Sequence, residues 1–285
     1  MKQESFTDFM HEVMDELRQE ERFSTAHIYK YALAAVTDFV GGGEIFFGAL
    51  TRCWLKRFQA YLEDLQRSYN TISTYVRALR AVYNRAVDRG LIAGEYRLFA
   101  GMKTGVSSER KLAVSAEQMN SLLDEQLRSR LSGDVCEAQD TLALMVLLQG
   151  MPYTDLVHLH KGDLNGNLLI CHRRKTGTEL CVKVLPEAMR LIERYRNRDT
   201  DSPYLLNMLS GKQHGEAAFH EYRDKLRSLN FRLSRLAEAC DLEGVKVSSY
   251  TARHTWATLA KYCQVPEEVI SEGLGHSSLD VTRTY

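Results

Sequence analysis

Residues 248–285 read SSYTARHTWATLAKYCQVPEEVISEGLGHSSLDVTRTY. Arg253 and His254 fall in a helix-compatible run, Leu274-Gly275-His276 makes a tight break, and Tyr285 follows nine residues after His276. A tyrosine phenol, with a pKa of about 10, is a poor nucleophile near neutral pH and needs cations or a base beside it to act as one. Attack on a phosphodiester adds charge to the non-bridging oxygens, which guanidinium, ammonium and imidazole donors are suited to hold. This stretch supplies arginine, histidine and tyrosine, and an upstream turn offers Lys175. Singly, a histidine after Leu-Gly is an ordinary cap, a lysine in a turn an ordinary solvated charge, and a terminal tyrosine an ordinary frayed end. Their joint order and spacing carry the signal, because no structural role requires it.

Immediately upstream the character is mixed. Leu168 to Cys171 and Leu180 to Val184 read as strands, with Asn165-Gly166 and Lys175-Thr176-Gly177 as turns, which predicts a small antiparallel sheet. Around it the spacing predicts helices at 188–196, 219–240, 252–262 and 266–274, and the run Thr141 to Leu148, closed by Gly150, is apolar enough to be core. Ser115-Ala116-Glu117-Gln118 has the form of a capping box opening another helix.

The N-terminal part is helical throughout. Ser5 caps a helix over about 6–20, a second carries Ile28, Tyr31, Ala35 and Phe39 and stops at Gly41-Gly42-Gly43, and Thr51 caps a third. In a fourth, about 70–89, Ile72, Val76, Leu79, Tyr83 and Ala86 share one stripe while Arg77, Arg80, Arg85 and Arg89 fan over the opposite side. Only Asp88 offsets these arginines locally, so they are candidates for backbone-phosphate contact. Aperiodic, glycine-bearing sequence follows. The expected organisation is a helical domain at 1–92, a linker at 93–111 and a mostly helical second domain at 112–285 with its small sheet: a mainly α, two-domain protein.

The 285 residues are 44% hydrophobic and 26% charged, with 37 basic against 37 acidic side chains, so bulk charge gives no argument for nucleic acid. The six scattered cysteines form no CxxC pair and no metal-spaced cluster, and read as reduced thiols. No apolar run approaches a membrane span and the charged N-terminus is no signal peptide, so the expected compartment is the cytoplasm, with no membrane partner.

The segments ARHTWATLA, LGHSSLDVTRTY and NTISTYVRALRAVYNRAV together resemble a tyrosine recombinase of the phage and mobile-element integrase kind, over nearly the whole chain. The resemblance implies an N-terminal SAM-like core-binding domain and a C-terminal catalytic domain. It also implies that Tyr285 is the nucleophile forming a 3′-phosphotyrosyl link and Arg253 the second arginine clamping the scissile phosphate. In the same pattern His276 donates a hydrogen bond to that phosphate, Lys175 protonates the leaving 5′-oxygen, and Asp155 supports the site from behind. Double-stranded recombination sites are the implied partner, bound by a homo-tetramer, with DNA-bending accessory proteins beside it. Neither a cofactor nor a metal ion is implied, because the covalent link conserves the bond energy.

Two positions depart from the family pattern. Tyr250 stands where the histidine of an HxxR motif belongs, and His254 lies about 100° away around the helix. The first arginine is absent: Gly150-Met151 is followed by Pro152, and Gln149 occupies the place just before the glycine where a subgroup puts it. One such donor is worth about 100-fold to 1,000-fold in rate. Either Arg173 or Arg174 compensates, or the enzyme is slow, or the chain only binds DNA; the expectation is reduced but real activity. A strand-resealing type IB topoisomerase is the alternative enzyme, and an accessory DNA-binding relative the non-enzymatic one. The family also continues beyond its tyrosine into a helix that docks on a neighbouring protomer, so these 285 residues are expected to assemble poorly without DNA.

Overall fold

The computed structural model describes residues 4–107, 112–242, 244–276 and 278–283. The chain divides into two compact units, Met1–Ser108 and Glu109–Tyr285.

The first unit is built from α1 (Phe6–Gln19), α2 (Phe23–Phe39), α3 (Arg52–Asp64) and α4 (Tyr69–Asp88). Its helices start where side chains satisfy orphan amides: Ser5, Thr51 and Ser68 each accept a hydrogen bond from the third residue on. Phe6, Met10, Val13 and Leu17 of α1 meet Leu55 and Phe58 of α3 and Ile72, Val76 and Leu79 of α4 in one core. Of the apolar residues expected on α2, Ala35 and Phe39 pack against this core and the other two do not. Ala26, Tyr29, Ala32, Leu33 and Val36 are buried, whereas Ile28 and Tyr31 are exposed; α2 is apolar on nearly every side, so periodicity alone cannot choose the face. The segment expected as a linker from residue 93 also differs, since Leu98 and Met102 enter this core and Asn70 clasps Ser107 through both its backbone N–H and C=O. Irregular sequence here is an ordered strap of the first unit as far as Ser107.

The second unit contains α5 (Ala116–Leu122), α6 (Gly133–Leu147) and α7 (Tyr153–Val157). The strands β1 (Leu164–Asn165), β2 (Leu168–His172) and β3 (Glu179–Lys183) follow, and then α8 (Pro186–Arg194), α9 (Gly215–Ala239), α10 (Thr251–Tyr262), α11 (Glu267–Leu274) and α12 (Leu279–Thr282). The capping box at Ser115 and Gln118 is formed in both directions. Helix α6 packs against α8, α9 and α10, with Leu142, Leu144 and Met145 fully enclosed. The sheet is antiparallel in the order β1-β2-β3, and both β2 and β3 alternate exposed and buried residues. Cys171 pairs with Leu180 and Cys181 with Ile170, which places the two thiols on opposite faces. Away from the sheet, the buried Asp140 of α6 accepts hydrogen bonds from Arg128, Arg194 and the Tyr195 hydroxyl. Burial pushes its carboxyl up, and these three donors more than offset that and hold it low. No helix among the described residues is long and apolar enough to cross a membrane.

Candidate active site

Helix α11 ends in a Schellman motif: Gly275 is left-handed at φ 64°, its N–H donates to the Glu272 carbonyl, and the His276 N–H donates to the Ser271 carbonyl at 3.0 Å. This turn presents His276 to the hairpin. A Cβ on Gly275 would stand 2.9 Å from Leu180 Cδ2 and 3.0 Å from Arg173 Cγ, so only glycine lets the turn close there. Gly275→Ala is expected to lower unfolding stability by about 1–3 kcal/mol, read by urea denaturation.

Arg253, on α10, is only 4% exposed. One of its terminal nitrogens donates to the Leu274 carbonyl at 2.7 Å, and the other to the Gly150 carbonyl at 3.3 Å. The approach of the Gly150 corner depends on glycine, since a Cβ there would lie 3.0 Å from Arg253 Cα. Arg253 Nη2 also lies 2.9 Å from His276 Nε2. A guanidinium can only donate, so Nε2 is the acceptor; His276 keeps its proton on Nδ1 and donates it to Thr282 Oγ1 at 2.7 Å. In this geometry the imidazole steadies Arg253, and Thr282, fully buried on α12, fixes the tautomer.

Burial, with Arg253, Arg173 and Lys175 nearby, pushes the His276 imidazole down to about 4. An unfolded histidine binds a proton below its ordinary 6.5 while the folded one waits until about 4, so stability falls as pH drops through that window. His158 and His254 are shifted in the same direction by burial. Melting temperatures from pH 7 down to about pH 4.5 should show this fall, and His276→Gln should reduce it without removing it.

The β2–β3 turn brings the remaining groups. Arg173 is buried; its Nε lies 2.6 Å from Asp155 Oδ2 as an ion pair lacking hydrogen-bond alignment, and its Nη1 donates to the Leu274 carbonyl already used by Arg253. The Arg174 backbone N–H donates to Asp155 Oδ1 at 3.0 Å, while its side chain is exposed. Asp155, on α7, thus anchors the turn that carries the exposed Lys175. Tyr250, at the start of α10, lines a hollow with Pro152, Tyr222 and Arg253 and is 58% exposed, its ring 6.3 Å from that of His254. Pro152 borders this hollow without a charge. Gln149 is left-handed at φ 59°, and its Oε1 would lie 3.3 Å from a Cβ on Gly273, which places its amide beside the last turn of α11. Tyr285 lies outside the described residues. Among those described, no three His, Cys, Asp or Glu side chains gather as a metal would need.

In the first unit the four arginines of α4 are divided. Arg85 and Arg89 reach Glu16 of α1 at 3.5 and 2.6 Å, and Arg89 also covers the Phe9 ring. Arg77 and Arg80 are exposed. The offsetting carboxylate that no local count finds comes from another helix.

The phage integrase SAM-like domain matches residues 5–99, and the phage integrase family model matches residues 113–285, more than half of the chain. The chain belongs to the phage integrase family. It is a site-specific tyrosine recombinase, an enzyme of DNA recombination. The tyrosine recombinase XerA of Thermococcus onnurineus (strain NA1) is 26% identical over 269 residues, covering 92% of this chain and 84% of its own. Among solved structures, the Tn1549 transposon integrase in complex with a circular intermediate DNA superposes with a TM-score of 0.67 at 14% identity, over 99% of this chain and 95% of its own. A lambda integrase tetramer bound to a Holliday junction gives 0.66 at 14% identity, over 96% and 78%. These likenesses show a shared fold, mainly helical with a small antiparallel sheet.

Thr282 and Gly150 belong to the site of this recombinase without having been singled out for it in the sequence. Arg173, named there only as a cation to compensate for the missing arginine, is buried beside Asp155. The signal for Arg173 is the alternation of β2: Leu169 and Cys171 point inward, and continuing the period of two turns residue 173 inward as well.

Proposed function

We propose that this recombinase cleaves and rejoins DNA strands through a 3′-phosphotyrosyl intermediate. Tyr285 Oη bonds to phosphorus and gives its proton to water, and the P–O5′ bond breaks as the leaving 5′-oxygen takes a proton from Lys175. In rejoining, the 5′-hydroxyl of a partner strand attacks the same phosphorus, returns a proton to Lys175 and expels Tyr285, which is reprotonated. One phosphoester bond forms for each that breaks, so the cycle needs no external energy source. The observation that carries this reading is the preorganised Arg253, buried among the Gly150 and Leu274 carbonyls and His276, where it can meet charge developing on a phosphate. Arg77 and Arg80 offer the first unit's contacts to the backbone of a duplex. Two strand pairs exchanged between two sites call for four protomers, as in the lambda integrase assembly, and the transposon integrase relative supports integration or excision of a mobile element as the setting.

Tyr285→Phe tests this. It should abolish the protein–DNA adduct that survives denaturation while changing duplex binding by no more than about twofold. Equal adduct from the variant would contradict the nucleophile. Relaxation of supercoiled DNA by a monomer without strand exchange would favour the topoisomerase reading, and intact binding without any adduct the accessory one.

A further inference from the structure

The phosphate site as proposed above lacks one cation, and its surroundings hold a candidate. Position 152 borders the same hollow as Arg253 and carries a proline, and Gln149 is uncharged. Arg173, by contrast, is buried to within 8% of full enclosure and shares the Leu274 carbonyl with Arg253. Two guanidiniums on one carbonyl oxygen repel each other, and Asp155 is the carboxylate paired with Arg173. With Lys175 on the adjoining turn, the cluster carries three positive charges against one negative, which is the electrostatics of an anion receptor. Nε of Arg173 faces Asp155 and Nη1 faces Leu274, while Nη2 has no hydrogen-bond partner among the described residues. A buried guanidinium with one amino group unused is fixed in direction by its other two nitrogens.

We propose that Arg173 is the second guanidinium of the phosphate clamp, giving its Nη2 amino group to a non-bridging oxygen of the scissile phosphate in place of the arginine absent at 149 and 152. Asp155 then acts as the positioning residue, aiming Arg173 rather than touching DNA. Gly275 belongs to the same device, because its missing side chain makes room for the Arg173 stem. The reach of the Arg173 charge is already visible at His276, where it follows burial and Arg253 among the causes that depress the imidazole. The role rests on the phosphotyrosyl reading.

The test compares two substrates of one sequence: an ordinary phosphodiester and a methylphosphonate, in which one charged non-bridging oxygen at the mapped cleavage position is replaced by a neutral methyl group. With the phosphodiester, Arg173→Gln should slow Tyr285-dependent adduct formation by about 100-fold to 1,000-fold, and Arg173→Lys should recover part of that. With the methylphosphonate the loss should shrink to less than about tenfold, since the charge that Arg173 stabilises is gone. Misfolding or a purely structural role would slow both substrates equally, so equal losses overturn the assignment, as does an unchanged phosphodiester rate. If the unaltered chain forms no adduct on either substrate, the phosphotyrosyl reading fails and this role falls with it.

Discussion

Arg253→Gln lowers the rate of DNA strand cleavage by about 100-fold to 1,000-fold, the value of one preorganised donor to a developing oxyanion. The side chain is buried where its charge is poorly screened, and the Gly150 and Leu274 carbonyls hold it in one orientation before any DNA arrives. Glutamine keeps a donor but removes the charge and the fork. Arg253→Lys restores the charge without the planar geometry and recovers only part of the rate. Single-turnover cleavage, measured beside duplex binding, separates the effects: the rate falls steeply while binding, spread over many phosphate contacts, changes little. A fall in binding that matched the fall in rate would mean that Arg253 serves attachment to DNA rather than the reaction.

Asp155→Ala acts mainly through stability and costs about 3–5 kcal/mol, because it leaves Arg173 as a buried charge without its carboxylate. It also removes the acceptor that pins the Arg174 backbone, so the turn bearing Lys175 loses its anchor. Urea denaturation of the full chain reads the first effect as a lower midpoint. Asp155→Ala/Arg173→Met, which removes both charges, should recover much of the stability and none of the activity. A single variant as stable as the original would show that the pair is solvated and that Asp155 anchors nothing.

Much of the fold is legible because its signals are local. Ser5, Thr51 and Ser115 each mark a helix start that the structure caps as expected, and the alternation of 168–172 and 179–183 defines two strands around a turn at Lys175-Thr176-Gly177. The family motifs likewise bring together Arg253 and His276, twenty-three residues apart along the chain, with Lys175 close enough to act on the imidazole. What stays illegible depends on partners distant in sequence. Glu16 is shared by Arg85 and Arg89 across some seventy residues and offsets one of their two charges, so the α4 arginine stripe overstates the charge left for DNA. Thr282 is picked out by no motif, and only the fold places its hydroxyl on the second ring nitrogen of His276. Residues 93–107 look like a linker because their packing against the first unit has no period. The uniform apolarity of α2 hides its buried face for the opposite reason, there being too much signal rather than too little.

The most direct test of the central claim uses the full chain and a pool of nicked duplexes with randomised sequence, from which DNA still attached after denaturation is recovered and the modified residue mapped by mass spectrometry. The arrangement of Arg253, His276, Arg173 and Lys175 predicts attachment through a phosphotyrosine at Tyr285, with the recovered DNA sharing one cleavage sequence. DNA retained under native conditions but lost on denaturation, or attachment at any other residue, would contradict it.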